Sequence, residues 1–176
     1  MAEVHVIGEL VGATGFSASG LFCKWTVSHG SSWRLLEGCA EGQTQVDAPQ
    51  DTSCFYWSHP LDLHFACKAI QGWPKIQVEV WSQGLFGQCE LSGYGFCHLP
   101  TTPGSHQLQC VTWKPRGTAR DQLSSFFLGG AAQLKDEGTV VNAAQRCQLH
   151  TVSSGTVQIN VSVLLRNFDK FGVEVQ

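Results

Sequence analysis

The chain has 176 residues, 43% of them hydrophobic and only 14% charged, with a net charge of −3. That length can bury one domain's core without covalent staples, while the weak negative charge and the lack of any Lys/Arg run exclude strong electrostatic attraction to nucleic acid or to an anionic membrane surface. So little charge leaves a surface of low self-repulsion, as in a subunit of an assembly, although a β-rich domain that uses Thr, Ser and Gln in place of charge has the same composition.

Met1-Ala2-Glu3-Val4-His5 opens the chain without a basic segment followed by an uninterrupted apolar one, so no signal peptide is expected. No apolar run approaches the length of a membrane-spanning helix. The expectation is a cytosolic chain whose eight cysteines are free thiols.

Val4 to Val11 alternates moderately and reads as a first strand. After a small, glycine-containing loop, Leu21, Cys23, Trp25 and Val27 alternate with Lys24, Thr26 and Ser28. His29-Gly30-Ser31-Ser32 is a turn and Trp33 to Glu37 a third strand, so residues 21–37 read as a hairpin. A short extended piece is expected at Thr44 to Val46. The most informative stretch is Trp57 to Trp81. Leu61, Leu63, Phe65 and Cys67 share one face, with Asp62 and His64 opposite; Ile76, Val78 and Val80 share another, opposite Lys75, Gln77 and Glu79. Gln71-Gly72-Trp73-Pro74 joins these two half-buried strands, making one corner of an antiparallel sandwich.

Gln88 to Leu99 is a further extended segment. Gly93 and Gly95 fall on one face, opposite Tyr94 and Phe96, which predicts a bend or a close approach by another segment. His106 to Trp113 is the next strand, ended by Pro115. One helix is predicted from Ala119, Leu123, Phe126 and Phe127, with Thr118 as N-cap and Gly129-Gly130 at its end. Arg146 to Val152 and Thr156 to Arg166 are the last two strands, the latter with the cleanest alternation in the chain. The sum, about eight strands and one short helix, is an all-β sandwich or barrel; pattern alone does not choose among immunoglobulin-like, jelly-roll and C2-like sandwiches.

Chemistry is sparse. The chain has no C-x2-C pair, and the Cys147–His150 spacing diverges on a strand, so no metal site is expected. No G-x-S-x-G elbow or phosphate-binding loop occurs. A cryptic Cys–His nucleophilic pair would need a thiol of lowered pKa, and no cysteine sits in a glycine-framed elbow. Asp47 and Asp51 are the only close pair of aspartates, too few for calcium. The expected set is therefore no catalytic residue, no cofactor, no metal and no small-molecule substrate. Asn160-Val161-Ser162 matches a glycosylation sequon but lies mid-strand. Trp57, Trp73, Trp81 and Trp113 flank strands. Trp57 and Trp73 read as packing, whereas Trp81 lies on the polar face of its strand and is the candidate interface residue.

Taken together, Gly42-Gln43-Thr44-Gln45-Val46-Asp47, Trp57-Ser58-His59-Pro60-Leu61-Asp62-Leu63-His64-Phe65-Ala66, Gln71-Gly72-Trp73-Pro74, Val80-Trp81-Ser82-Gln83, Gly93-Tyr94-Gly95-Phe96-Cys97-His98 and Leu164-Leu165-Arg166-Asn167-Phe168-Asp169-Lys170-Phe171-Gly172-Val173 closely resemble the B9-domain family over essentially the whole chain. Gly84, where the family pattern leads us to expect an aspartate, departs from it at a turn. The resemblance implies a single C2-like antiparallel β-sandwich spanning 1–176 and a non-enzymatic role at the ciliary basal body and transition zone. It further implies assembly with other B9-domain proteins inside a tectonic-like, membrane-associated complex that supports ciliogenesis, the ciliary diffusion barrier and Hedgehog signalling. A C2-type module that binds lipid at the ciliary base without calcium is the alternative.

Overall fold

The structure, a computed structural model, describes residues 1–50, 54–84, 86–116 and 150–169. Nine strands follow in order: β1 (Ala2–Thr14), β2 (Leu21–Ser28), β3 (Trp33–Gly38), β4 (Glu41–Gln43), β5 (Cys54–Cys67), β6 (Lys75–Gln83), β7 (Cys89–His98), β8 (Gly104–Pro115) and β9 (Thr151–Arg166). All pair antiparallel, in the order β3-β5-β1-β9-β8-β7-β6-β2-β4. The ladder is thick within its two halves and thin where they meet. β8 pairs with β9 from Gly104↔Val163 to Pro115↔Thr151, whereas β7 and β8 share only Tyr94↔Trp113 and Gly95↔Thr112. The sheet therefore folds over on itself at this seam into two layers, β3-β5-β1-β9-β8 and β7-β6-β2-β4.

The predicted alternation decides which side chains fill the space between them. Val4, Val6 and Leu10 of β1, Leu61, Leu63 and Phe65 of β5, and Val157, Ile159, Val161 and Val163 of β9 face Cys23, Trp25, Val27, Ile76, Val78 and Val80 in one buried cluster. Leu10, Phe65, Ile76, Val80, Val157 and Ile159 have no exposure at all. The far rims are latched by specific polar contacts. Trp57 Nε1 donates to the Leu21 carbonyl at 3.1 Å, Gln45 Nε2 donates to the Trp57 carbonyl at 2.7 Å, and the Asp47 carboxylate accepts the Tyr56 N–H at 2.8 Å. Trp57 and Trp73 are packing residues as expected: Trp57 is buried, and Trp73 meets Trp33 edge-on at 4.8 Å.

The predicted close approach at the paired glycines is present. A Cβ on Gly93 would lie 3.0 Å from Thr112 Oγ1, and one on Gly95 2.9 Å from Cys110 Sγ. A side chain at Gly95 would force Cys110 to shift and one at Gly93 would press on Thr112 and Ser154, so the two glycines ease the approach of β8 to β7 where the layers meet.

Three expectations need correction. Residues 21–37 do not form a hairpin: β2 pairs with β4 and β6, and β3 with β5. The turn between them crosses from one layer to the other because Gly30 packs on Gly72 and donates its N–H to the Gly72 carbonyl at 2.8 Å. The short extended piece sits at Glu41–Gln43 with an isolated bridge at Asp47, not at 44–46. Thr44 is buried there, and its Oγ1 accepts the Cys23 N–H at 2.9 Å. Ser153-Ser154-Gly155 does not break the last strand. β9 runs through it, since Thr112 Oγ1 donates to the Gly155 carbonyl at 2.7 Å. Nine strands among the described residues match the expected count of about eight. The predicted helix at 118–130, and residues 146–149 with Cys147, lie outside the described residues.

Both lateral edges of the described sheet are short or broken. β4 has three residues, and β3 carries an irregularity between Leu35 and Glu37 and ends at Gly38 with φ +95°.

Candidate functional site

Trp81 lies where its parity placed it, on the outer face of β6. Its surroundings are more apolar than the sequence suggests. Leu91 and Tyr94 are buried on that outer face, and Trp81, Phe96 and Trp113 pack against them. Strict alternation would put Leu91 with Gly93 and Gly95. The ladder instead shifts register, pairing Val80 with Gly93 and Trp81 with Leu91, and this turns Leu91 outward beside Trp81. The Trp81 ring stacks on Phe22 at 6.5 Å and lies under Lys24 Nζ at 5.0 Å, while its Nε1 donates to Glu79 Oε2 at 3.1 Å. The outcome is a half-buried aromatic surface with a cation and a carboxylate at its rim, a composition typical of protein contacts.

The described thiols differ by environment. Burial, and then the negative charge of Glu79, push the Cys23 thiol far above the ordinary range. Burial also raises Cys67. Cys110 is held protonated by its hydrogen bond to Cys97 and by burial, and the same hydrogen bond lowers the pKa of Cys97. Cys39 and Cys89 are exposed. A mild aromatic disulfide reagent should therefore label Cys39 and Cys89 at once under native conditions. Cys23 and Cys110 should react slower by at least about 100-fold, because each needs an opening of the core. Peptide mapping after a timed quench checks this, and rapid labelling of Cys23 would contradict the packing described.

Asp47, half of the only close aspartate pair, is committed to the Tyr56 N–H, and Asp51 lies outside the described residues. One cluster of possible ligands that spacing did not suggest is present. Glu3, His5 and His64 bring one ligand atom each within 4.8 Å of the others. His5 and His64 are paired across the β1–β5 ladder, with rings stacked at 3.6 Å and 20°. Glu3, two residues before His5 on the same face, places Oε2 at 3.5 Å from both His64 Nε2 and Arg166 Nη1. Residues 59 positions apart in sequence meet here only because of strand register. No helix among the described residues is long and apolar enough to cross a membrane.

The chain has relatives among known proteins. The profile of the B9-C2 family, described as ciliary basal body-associated B9 protein, matches residues 4–164. B9 domain-containing protein 2 of Mus musculus is 57% identical over 174 residues, covering 99% of each chain. B9 domain-containing protein 1 of Xenopus laevis is 27% identical over 96% of this chain and 87% of its own length. The solved C2A domain of plant Extended Synaptotagmin 1 superposes with a TM-score of 0.45 at 14% identity, covering 93% of each chain. The family match runs from Val4 in β1 to Leu164 in β9, so it embraces the sandwich and the aromatic surface around Trp81, together with His5 and His64 but not Glu3. The chain belongs to the B9 family of ciliary basal body-associated proteins, and its nine-stranded antiparallel sandwich is that family's C2-like domain.

Proposed function

We propose that this chain is a non-enzymatic scaffold subunit at the ciliary transition zone and basal body, assembling with other B9-domain proteins inside the tectonic-like complex. Through that assembly it supports ciliogenesis, the diffusion barrier at the ciliary base and Hedgehog signalling. The observation that carries the reading is family membership across the whole described sandwich. The site chemistry is consistent with it: two buried thiols are held protonated, and the outer face of the second layer gathers Trp81, Trp113, Phe22 and Leu91 around one charged rim.

Trp81 is our proposed contact residue on that face. Large aromatics, Trp foremost, are among the residues that most often dominate protein–protein affinity. The experiment is co-elution of the purified chain with a B9 domain-containing protein 1 on size exclusion at micromolar concentration. A shared early peak is expected; independent elution of the two sinks the scaffold reading. In the same assay, Trp81→Ala should weaken the pair by about 30-fold, the loss expected of a hot-spot residue. Unchanged affinity in a variant that melts normally removes Trp81 from the interface while leaving the assembly itself intact.

A further inference from the structure

We propose that Glu3, His5 and His64 form a binding site for a divalent transition-metal ion of the zinc class on the outer face of the β5-β1-β9 layer. The three ligand atoms already lie within 4.8 Å of one another. A tetrahedral ion about 2.05 Å from each ligand needs them about 3.3 Å apart. His64 Nε2 and Glu3 Oε2 stand at 3.5 Å, so that edge of the tetrahedron exists before any ion arrives. Stacked imidazoles direct their lone pairs in parallel, so closure requires the His5 ring to turn out of the stack until its nitrogen faces the ion.

Three features distinguish the cluster from an ordinary surface ion pair. His64 Nε2 is fully shielded from solvent yet has no hydrogen-bond partner, so a buried imidazole nitrogen is aimed at the Glu3 carboxylate without being satisfied by it. A metal ion bound there would supply the missing partner. The ligands stand on the two longest-paired strands of the layer, with His5 directly opposite His64 in the ladder, which holds their backbones to a fixed separation. The donor set, two imidazoles and one carboxylate, suits zinc and its neighbours, whereas calcium and magnesium demand more oxygen ligands. A fourth position is left for water.

Arg166 opposes the ion. Its Nη1 lies 3.5 Å from the same Glu3 oxygen, but its side chain is 72% exposed and free to swing away. That competition gives the proposal a discriminating test. Untagged protein is titrated with cobalt(II) and followed by visible absorption, with zinc displacing the cobalt. The expected result is saturation at one equivalent, with ligand-field bands of a four-coordinate nitrogen/oxygen site and no sulfur-to-cobalt charge-transfer band. His64→Gln, His5→Gln and Glu3→Gln should each lower affinity by at least about tenfold. Arg166→Gln should raise it by about 2- to 5-fold, the range set by losing an exposed ion pair. The metal-free melting temperature of each variant reports folding, and Arg166→Gln keeps the test valid if a histidine variant fails to fold. The absence of saturable binding up to about 1 mM cobalt overturns the proposal. So does a thiolate charge-transfer band, or affinity unchanged in a folded His64→Gln protein.

Discussion

Replacing Phe65 by alanine should lower the melting temperature by about 6 to 20 °C. A buried Phe→Ala change costs about 3–5 kcal/mol, and each kcal/mol moves the midpoint of a domain this size by about 2–4 °C. Phe65 is 0% exposed. Its ring meets Trp33 edge-on at 6.2 Å and His29 at 5.6 Å, and Trp33 in turn meets Trp73. Trp33 Nε1 is held by the Gln71 carbonyl at 3.0 Å. Removing Phe65 therefore opens a cavity beneath three aromatic rings that cannot collapse together, because one of them is fixed by a hydrogen bond to the layer-crossing turn. Against a total stability of about 5–15 kcal/mol, such a loss leaves little folded protein in reserve. A thermal scan by circular dichroism decides it. A shift below about 2 °C would mean that the rings repack freely, contrary to the geometry. Ile7→Ala, on the exposed outer face, should stay within about 0.5 kcal/mol of wild type.

Gly12→Ala should be as damaging, by the opposite mechanism. Gly12 sits at the irregularity of β1, where register shifts against both β5 and β9 between Leu10 and Gly12. A Cβ there would lie 1.9 Å from the Phe55 carbonyl oxygen and 3.1 Å from Tyr56 Cα. Both are backbone atoms of the paired strand, so the added methyl must pry apart the ladder. We expect a loss of about 3 kcal/mol or more, at the upper end of overpacking costs. Gly20→Ala is the control. Its nearest neighbour is the Val46 Cγ1 methyl at 3.2 Å, a side chain that can move, and the change should cost less than about 1 kcal/mol. Chemical denaturation of both variants compares them directly. Equal midpoints would contradict the crowding at Gly12.

Much of this fold is legible in the chain because period-two alternation survives folding unchanged. Leu61, Leu63 and Phe65, or Ile76, Val78 and Val80, are buried as their spacing requires. What fails is information carried by pairing. His29 to Ser32 looks like a hairpin turn, yet Gly30 binds Gly72, a partner that no local pattern announces. Ser153-Ser154-Gly155 looks like a break, yet Thr112 bridges it. The same division holds at the candidate sites. Trp81's outward direction follows from parity, while its cover of Phe22 and Leu91 depends on adjacent strands and on a register shift. Glu3, His5 and His64 are invisible as a group in sequence, because only the β1–β5 register joins them.

The blunted lateral edges have a consequence for how such a protein can accumulate. The two lateral margins of the described sheet, one of three residues and one interrupted by an irregularity and a left-handed glycine, offer no long straight template for strand addition. Copies of the chain that crowd together therefore find little to extend at these two margins, where open-ended growth of β-proteins into filaments would start. Association is diverted to the faces, where contacts such as the aromatic surface around Trp81 saturate once a partner is seated. A large antiparallel sheet of this kind can reach high local concentration and still build particles of finite, countable composition.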